Sequence, residues 1–392
     1  MSVTQEVRSE SPAILTLAFR PFFLAASLWS ALALSLWLAM LMAGMALPSR
    51  FDPLTWHIHE MLFGFVPAAI AGFMLTAIPN WTGRPPIRGM PLAWLVILWL
   101  LGRISCLISA LIPFWFAVAV DLAFPVVLCA IAAREIIAAR NWRNLPMPIP
   151  IAVLGIADLL MFLNESGVAV PPGLGMRLGL AAIIVLISVV GARIIPSFTR
   201  TWLVKRGATK LPAAHDFFDR IALGAFHAGL IGWVFFPVFR ALGALLLLAA
   251  LLNLWRLARW CGAATLAEPL LAILHLGYLW LIVGAALLGA AMLSNAIPSA
   301  AAIHALTAGA IGTMVLAVMT RVSLGHTGRP LEANRITTLV YLMVNAAALV
   351  RIAAAFTSTS HMLLLSISAI LWTASFALFA AAYGPMLTAP RA

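Results

Sequence analysis

The sequence predicts an all-α, polytopic membrane protein of about twelve transmembrane helices, and three observations carry the prediction. The 392 residues are 64% apolar and only 9% charged, with a mean hydropathy of +1.07, whereas a water-soluble domain carries about 25% charged residues. The apolar residues fall in long, non-alternating runs, such as Leu15 to Ala46, rather than in the ~10-residue alternating segments of a barrel. Arginine and lysine gather in alternate connecting segments. Because hydrocarbon offers no partner to backbone amides and carbonyls, long apolar runs must close their own hydrogen bonds as helices.

Taken in order, the chain opens on a polar stretch, and the apolar run 15–46 follows. That run is about twice the ~7–15 residues of a signal peptide's apolar region, so it is predicted to be a retained first helix. Breaks at Pro, Gly, Asn and charge clusters place the others at 57–78, 91–112, 114–138, 148–165, 175–195, 220–236, 238–258, 268–293, 302–319, 336–356 and 361–387. Helices 3 and 4 are parted by Pro113, and helices 7 and 8 by Pro237. The segments after even-numbered helices carry Arg84 and Arg88; Arg134, Arg140 and Arg143; Arg200, Lys205, Arg206 and Lys210; Arg256 and Arg259; and Arg321, Arg329 and Arg335. The intervening segments hold little beyond Arg50 and Arg177. Positive residues stay on the cytoplasmic side, which predicts both termini there. The formal charge of +12 therefore marks topology, and a nucleic-acid partner is excluded. Cys106, Cys129 and Cys261 lie far apart with no C-x-x-C spacing, against a disulfide frame or covalently attached haem; each reads as a small apolar core residue.

The tetrapeptide Thr-Gly-Arg-Pro occurs at Thr82 and again at Thr327, and 23 residues before each threonine stands a histidine, His59 and His304. A fainter echo, Pro196-Ser197-Phe198-Thr199-Arg200, follows helix 6. Helices 2, 6 and 10 are four apart, so a single membrane domain is expected, with repeat units 15–138, 148–258 and 268–387. An alternative register through Thr320-Arg321 removes the equivalence of the two histidines.

Ionisable groups at bilayer depth are expensive, so those within helices are candidates for function. The acidic ones are Glu60, Asp158, Asp121 and Glu135. Neutral imidazole is a good ligand for haem iron, copper and zinc, and the densest cluster is Trp56-His57-Ile58-His59-Glu60. Positions i and i+2 point about 200° apart on a helix, so His57 and His59 serve two sites, or one binds while the other supports. Glu60 can orient an imidazole or carry protons inward; the bland alternative is an interfacial cap with the histidines at headgroup level. His304 opens helix 10, and Ala308 and Gly312 follow on its face, leaving room for a flat macrocycle or serving close helix packing. His275 lies about two turns into helix 9, where ligation and a helix–helix hydrogen bond are both open; His227 has a lower standing. His326 is expected in the segment after helix 10, and a 22-residue helical path of roughly 33 Å keeps it from sharing a metal with His304. His215 and His361 read as ordinary loop or interface residues.

Five blocks carry a resemblance to the NnrS family of bacterial membrane proteins: Leu17 to Phe23 (L-A-F-R-P-F-F), Trp56 to Phe65 (W-H-I-H-E-M-L-F-G-F), Ala77 to Arg84, Arg193 to Arg200, and Met319-Thr320-Arg321 through Gly325 to Pro330 (G-H-T-G-R-P). The resemblance implies an inner-membrane protein containing haem b and copper, linked to nitric oxide and to resistance against nitrosative stress. The resemblance does not assign the ligands; from chemistry and position His59 and His304 are the first-choice ligands and His57 and His275 the second, with His57, His59, His304 and His326 as metal candidates and Glu60 as the catalytic proton carrier. Reductive coupling of nitric oxide to nitrous oxide, with an unidentified electron donor, is one expected activity. The other readings are a transporter for a metabolite, metal or haem, and a protein that binds nitric oxide without turnover.

Overall fold

A computed structural model describes residues 12–390. Its twelve helices are α1 (Phe19–Ala43), α2 (Pro53–Thr82), α3 (Met90–Leu107), α4 (Phe114–Ala138), α5 (Ile149–Glu165), α6 (Leu174–Lys205), α7 (Phe217–Phe235), α8 (Arg240–Ala258), α9 (Pro269–Leu293), α10 (Ser299–His326), α11 (Arg335–Ala354) and α12 (His361–Thr388). No strand occurs among the described residues. Eleven are long and apolar enough to cross a membrane; α7 is the exception, its hydropathy diluted by Asp219, Arg220 and His227. It still packs between α6 and α8, and Asp219 is compensated by Arg256 on α8 at 2.7 Å.

Local chemistry moves several boundaries. α2 starts at Pro53 rather than 57, because the Asp52 side chain accepts from the Leu54 and Thr55 amides at 2.9 and 3.2 Å and Pro53 suits the first helical position. α6 runs through Pro196 to Lys205 instead of stopping at 195; a proline removes one backbone hydrogen bond, which neighbouring helices make tolerable in a bundle. α10 continues from Ser299 to His326, so His326, expected in a connecting segment, is the last helical residue, its ring 5.7 Å from that of Phe19.

Short connections make successive helices antiparallel neighbours, as in α11 against α12 and α8 against α9. α1 packs on α12, which closes the bundle. Arg20 fastens that seam, donating to the carbonyls of Leu387 at 3.0 Å and Ala389 at 2.5 Å, where α12 ends. α2 and α10 touch each other and are the most enclosed, with 83% and 72% of their apolar stretches buried. Both are interrupted by a π-helical segment, Glu60–Phe65 in α2 and Ala305–Ile311 in α10, each starting on the residue after a histidine, His59 or His304. α6 has no such interruption. A π turn adds a residue to the helical register and re-aims the side chains beside it, which is why such segments gather at functional sites.

Candidate functional site

Between α1, α2, α6, α10, α11 and α12 lies a cavity of about 420 Å3, within the ~300–1,000 Å3 range of small-molecule sites. Its wall is mostly apolar, with Leu34, Met61, Phe65, Leu180, Ile311 and Trp372 among the lining residues. Into this apolar wall the fold places two imidazoles, His57 and His304, and one guanidinium, Arg351. His304 Nδ1 donates to the Ala300 carbonyl at 2.7 Å, which leaves Nε2 to act as a ligand. His57 is stacked on Trp37, ring centroids 4.3 Å apart, and its buried Nδ1 has no hydrogen-bond partner; the same holds for Nη1 of Arg351.

His59 points away from this cavity into a second feature, a buried polar cluster between α1, α2, α3, α4 and α5. Its Nδ1 lies 3.1 Å from Glu60 Oε1, and its Nε2 lies 2.8 Å from Asp158 Oδ1 and 3.1 Å from Asp121 Oδ2. Arg103 spans the cluster, donating to Glu60 Oε2 at 2.8 Å through Nη1 and to Asp121 Oδ1 through Nη2. Trp29 Nε1 donates to Glu60 Oε2 at 2.8 Å. Phe51, Phe63 and Phe162 surround the imidazole with centroids 5.0 to 5.6 Å from it. His59, Glu60 and Asp121 are 0% exposed. Gly64 makes the room: a Cβ there would stand 2.7 Å from both Arg103 Nη1 and Glu60 Oε2 and 2.9 Å from Trp29 Nε1.

The block Trp56 to Phe65 is thus divided between two sites. His57, Met61, Leu62 and Phe65 face the cavity, whereas His59, Glu60, Phe63 and Gly64 build or line the polar cluster. The helix is capped by Asp52, and Trp56, His59 and Glu60 are turned into the protein and fully buried. Cys106, read from sequence as an apolar core residue, has its Sγ 3.4 Å from His59 Nδ1 and belongs to the cluster. Ala308 lines the cavity as its helical face suggested, but Gly312 instead packs against Trp372.

The remaining histidines lie elsewhere. His275 is buried with Nε2 2.9 Å from Thr199 Oγ1, beside Trp260. His227 Nε2 meets Ser188 Oγ at 2.7 Å. His361 opens α12, its Nδ1 2.8 Å from the Ala354 carbonyl. Neither His275 nor His326 lines the cavity of His57 and His304. The other sequence blocks meet at the opposite end of the central helices, where Phe19 lies against His326, its amide donates to Thr76 Oγ1 at 3.1 Å, and Arg321 lies 4.1 Å over the Phe198 ring.

Sequence reasoning missed Arg103, Arg351 and Trp29. The usable signal was an arginine inside an apolar run: Arg103 stands between Leu101-Gly102 and Ile104, Arg351 between Val350 and Ile352. A cation at bilayer depth calls for a partner as much as an acid does.

A family model described as NnrS protein matches residues 13–391, nearly the whole chain. No curated protein matches it.

Proposed function

The chain belongs to the NnrS family and is a nitric-oxide-associated membrane protein, and from that premise we propose that it holds haem b in the His57–His304 cavity and binds and removes nitric oxide there. The observation that carries this reading is the pairing of two half-buried imidazoles with a guanidinium whose Nη1 has no hydrogen-bond partner, all on a single apolar cavity. Those residues fit the group: imidazoles to hold iron, an arginine to pair with a propionate, and flat aromatic and aliphatic walls for the macrocycle.

His304 is the residue that would hold the iron, because its Nδ1–H is anchored on Ala300 and Nε2 is therefore free to ligate. His57 is held by ring stacking on Trp37 with no hydrogen bond to Nδ1, so it would be the more readily displaced of the two imidazoles. Met61, Leu62, Phe65 and Trp372 give the site apolar walls. A haem bound there supplies a ferrous centre for nitric oxide and, given an electron donor, a route for reducing it. Two nitric oxide molecules, two electrons and two protons balance to one nitrous oxide and one water. Glu60 has both carboxylate oxygens engaged, by His59, Arg103 and Trp29, so we assign it a positioning role at His59 rather than proton delivery. The alternate Arg- and Lys-rich segments support both termini on the cytoplasmic side of a bacterial inner membrane.

Copper, the second metal expected of the family, finds a poorer match. Among the described residues, the two clusters of three candidate ligands, His59–Glu60–Cys106 and His59–Asp121–Asp158, share a single imidazole, His59, and Cys106 is their one soft donor.

The experiment is a titration of the purified, reduced protein with nitric oxide. The expected result is a Soret band that shifts on addition, with nitrous oxide formed when a donor is supplied. A shift without nitrous oxide leaves a nitric oxide binder, and a colourless preparation that transports a solute refutes the reading.

A further inference from the structure

We propose that His59, Asp121 and Asp158 form a buried site for a divalent cation of iron, manganese or zinc, separate from the cavity of His57 and His304. Three observations converge on it.

The first is the direction of the hydrogens. Glu60, ion-paired with Arg103, accepts from His59 Nδ1, which sets the tautomer in which a neutral imidazole carries its lone pair on Nε2. That lone pair faces Asp158 Oδ1 at 2.8 Å and Asp121 Oδ2 at 3.1 Å. Three acceptor atoms pointing at one another repel unless a proton or a metal cation stands between them, and one proton on Nε2 can satisfy only one of the two carboxylates. Asp121 Oδ2 is completely buried and accepts no hydrogen bond although His59 Nε2 is close; the separation is there, but a single hydrogen on Nε2 would serve Asp158.

The second is charge. Glu60, Asp121 and Asp158 are three carboxylates against one guanidinium, Arg103. An imidazolium at His59 would still leave the enclosed cluster with a net negative charge, whereas a neutral imidazole with a divalent cation brings it to zero. An uncompensated charge sealed from water is strongly unfavourable.

The third is spacing. Donor atoms about 2.1 Å from an ion and at right angles to one another, as in octahedral coordination, lie about 3.0 Å apart, which is the range of the two contacts at Nε2. The relay from Glu60 through His59 to the ion is the carboxylate–histidine arrangement that orients metal ligands. Cys106 contacts Nδ1, on the far side of the ring, and is not in this ligand set. One nitrogen and two carboxylate oxygens form a hard-to-borderline donor set, better matched to Fe2+, Mn2+ or Zn2+ than to the thiolate- or imidazole-rich surroundings typical of copper.

The test uses the full chain in detergent, stripped with a chelator and reloaded with Mn2+, Zn2+ or Fe2+. Bound metal is counted by mass spectrometry and electron paramagnetic resonance, and haem separately by its pyridine complex. Wild type is expected to take up one ion per chain beyond the haem iron, and Asp158→Asn to lose it with haem content unchanged. Glu60→Gln, which keeps all three ligands, is expected to weaken binding by about 10–100-fold. Uptake of copper alone, of no metal, or of the same ion by Asp158→Asn with wild-type affinity overturns the proposal. Because haem is measured independently, its loss or retention reports on the cavity and leaves this result intact.

Discussion

At the scale of the residue, Gly64 decides whether the polar cluster can close. The Arg103 guanidinium, the Glu60 carboxylate and the Trp29 indole all approach within 3 Å of where its Cβ would be. All three are held by one another, so none can withdraw without leaving a buried charge unpaired. Gly64→Ala is therefore expected to destabilise the protein by about 1–3 kcal/mol, the usual range for overpacking, read as a lower unfolding midpoint in detergent. Gly224→Ala, where nothing lies within 4 Å, should be neutral or slightly stabilising, since alanine favours helix; equal effects at both positions would refute the role of Gly64. Part of this site was legible in the sequence. The i and i+2 spacing of His57 and His59 required two directions, and intramembrane Asp121 and Asp158 were visible as costly groups. What was not legible is partnership across helices: which of His57 and His59 shares a cavity with His304 depends on helix rotation, and Arg103 and Arg351 resemble topological anchors until their surroundings are known.

At the scale of the element, the π segments of α2 and α10 set where the histidines aim. Each adds a residue to the turn that follows His59 or His304, turning everything before it relative to the rest of the helix by about 100°. Deleting Met61, inside the α2 segment, should restore regular helix and rotate His57 out of the cavity. The expected result is a chain that still inserts in the membrane but purifies without haem; normal haem content would mean that the π segment does not aim the ligand. Helix positions themselves were largely readable, because a run of about 20 apolar residues has few alternatives in a bilayer. The misjudged ends, at Pro53, Pro196 and His326, all came from treating proline or polarity as a stop. In the structure a proline begins α2 under the Asp52 cap, and another sits within α6 braced by its neighbours.

At the scale of the whole molecule, a twelve-helix bundle wraps two enclosed helices, α2 and α10, whose histidine-bearing ends meet a cavity that α1, α6, α11 and α12 complete. The chain segments that carry the family resemblance thus come from distant parts of the sequence to two ends of one central pair. Sequence alone located those blocks, but it could not show that one end holds a cavity beside a buried ionic cluster while the other is a set of packing contacts. The proposed function makes one demand of the entire protein, that it carry haem through His304. The measurement that tests this is the haem-to-protein ratio of purified chains. The account predicts one haem b per wild-type chain, retained in His275→Ala and lost in His304→Ala, with both variants present in the membrane at wild-type levels. A full complement of haem in His304→Ala, or none in the wild type, would contradict it.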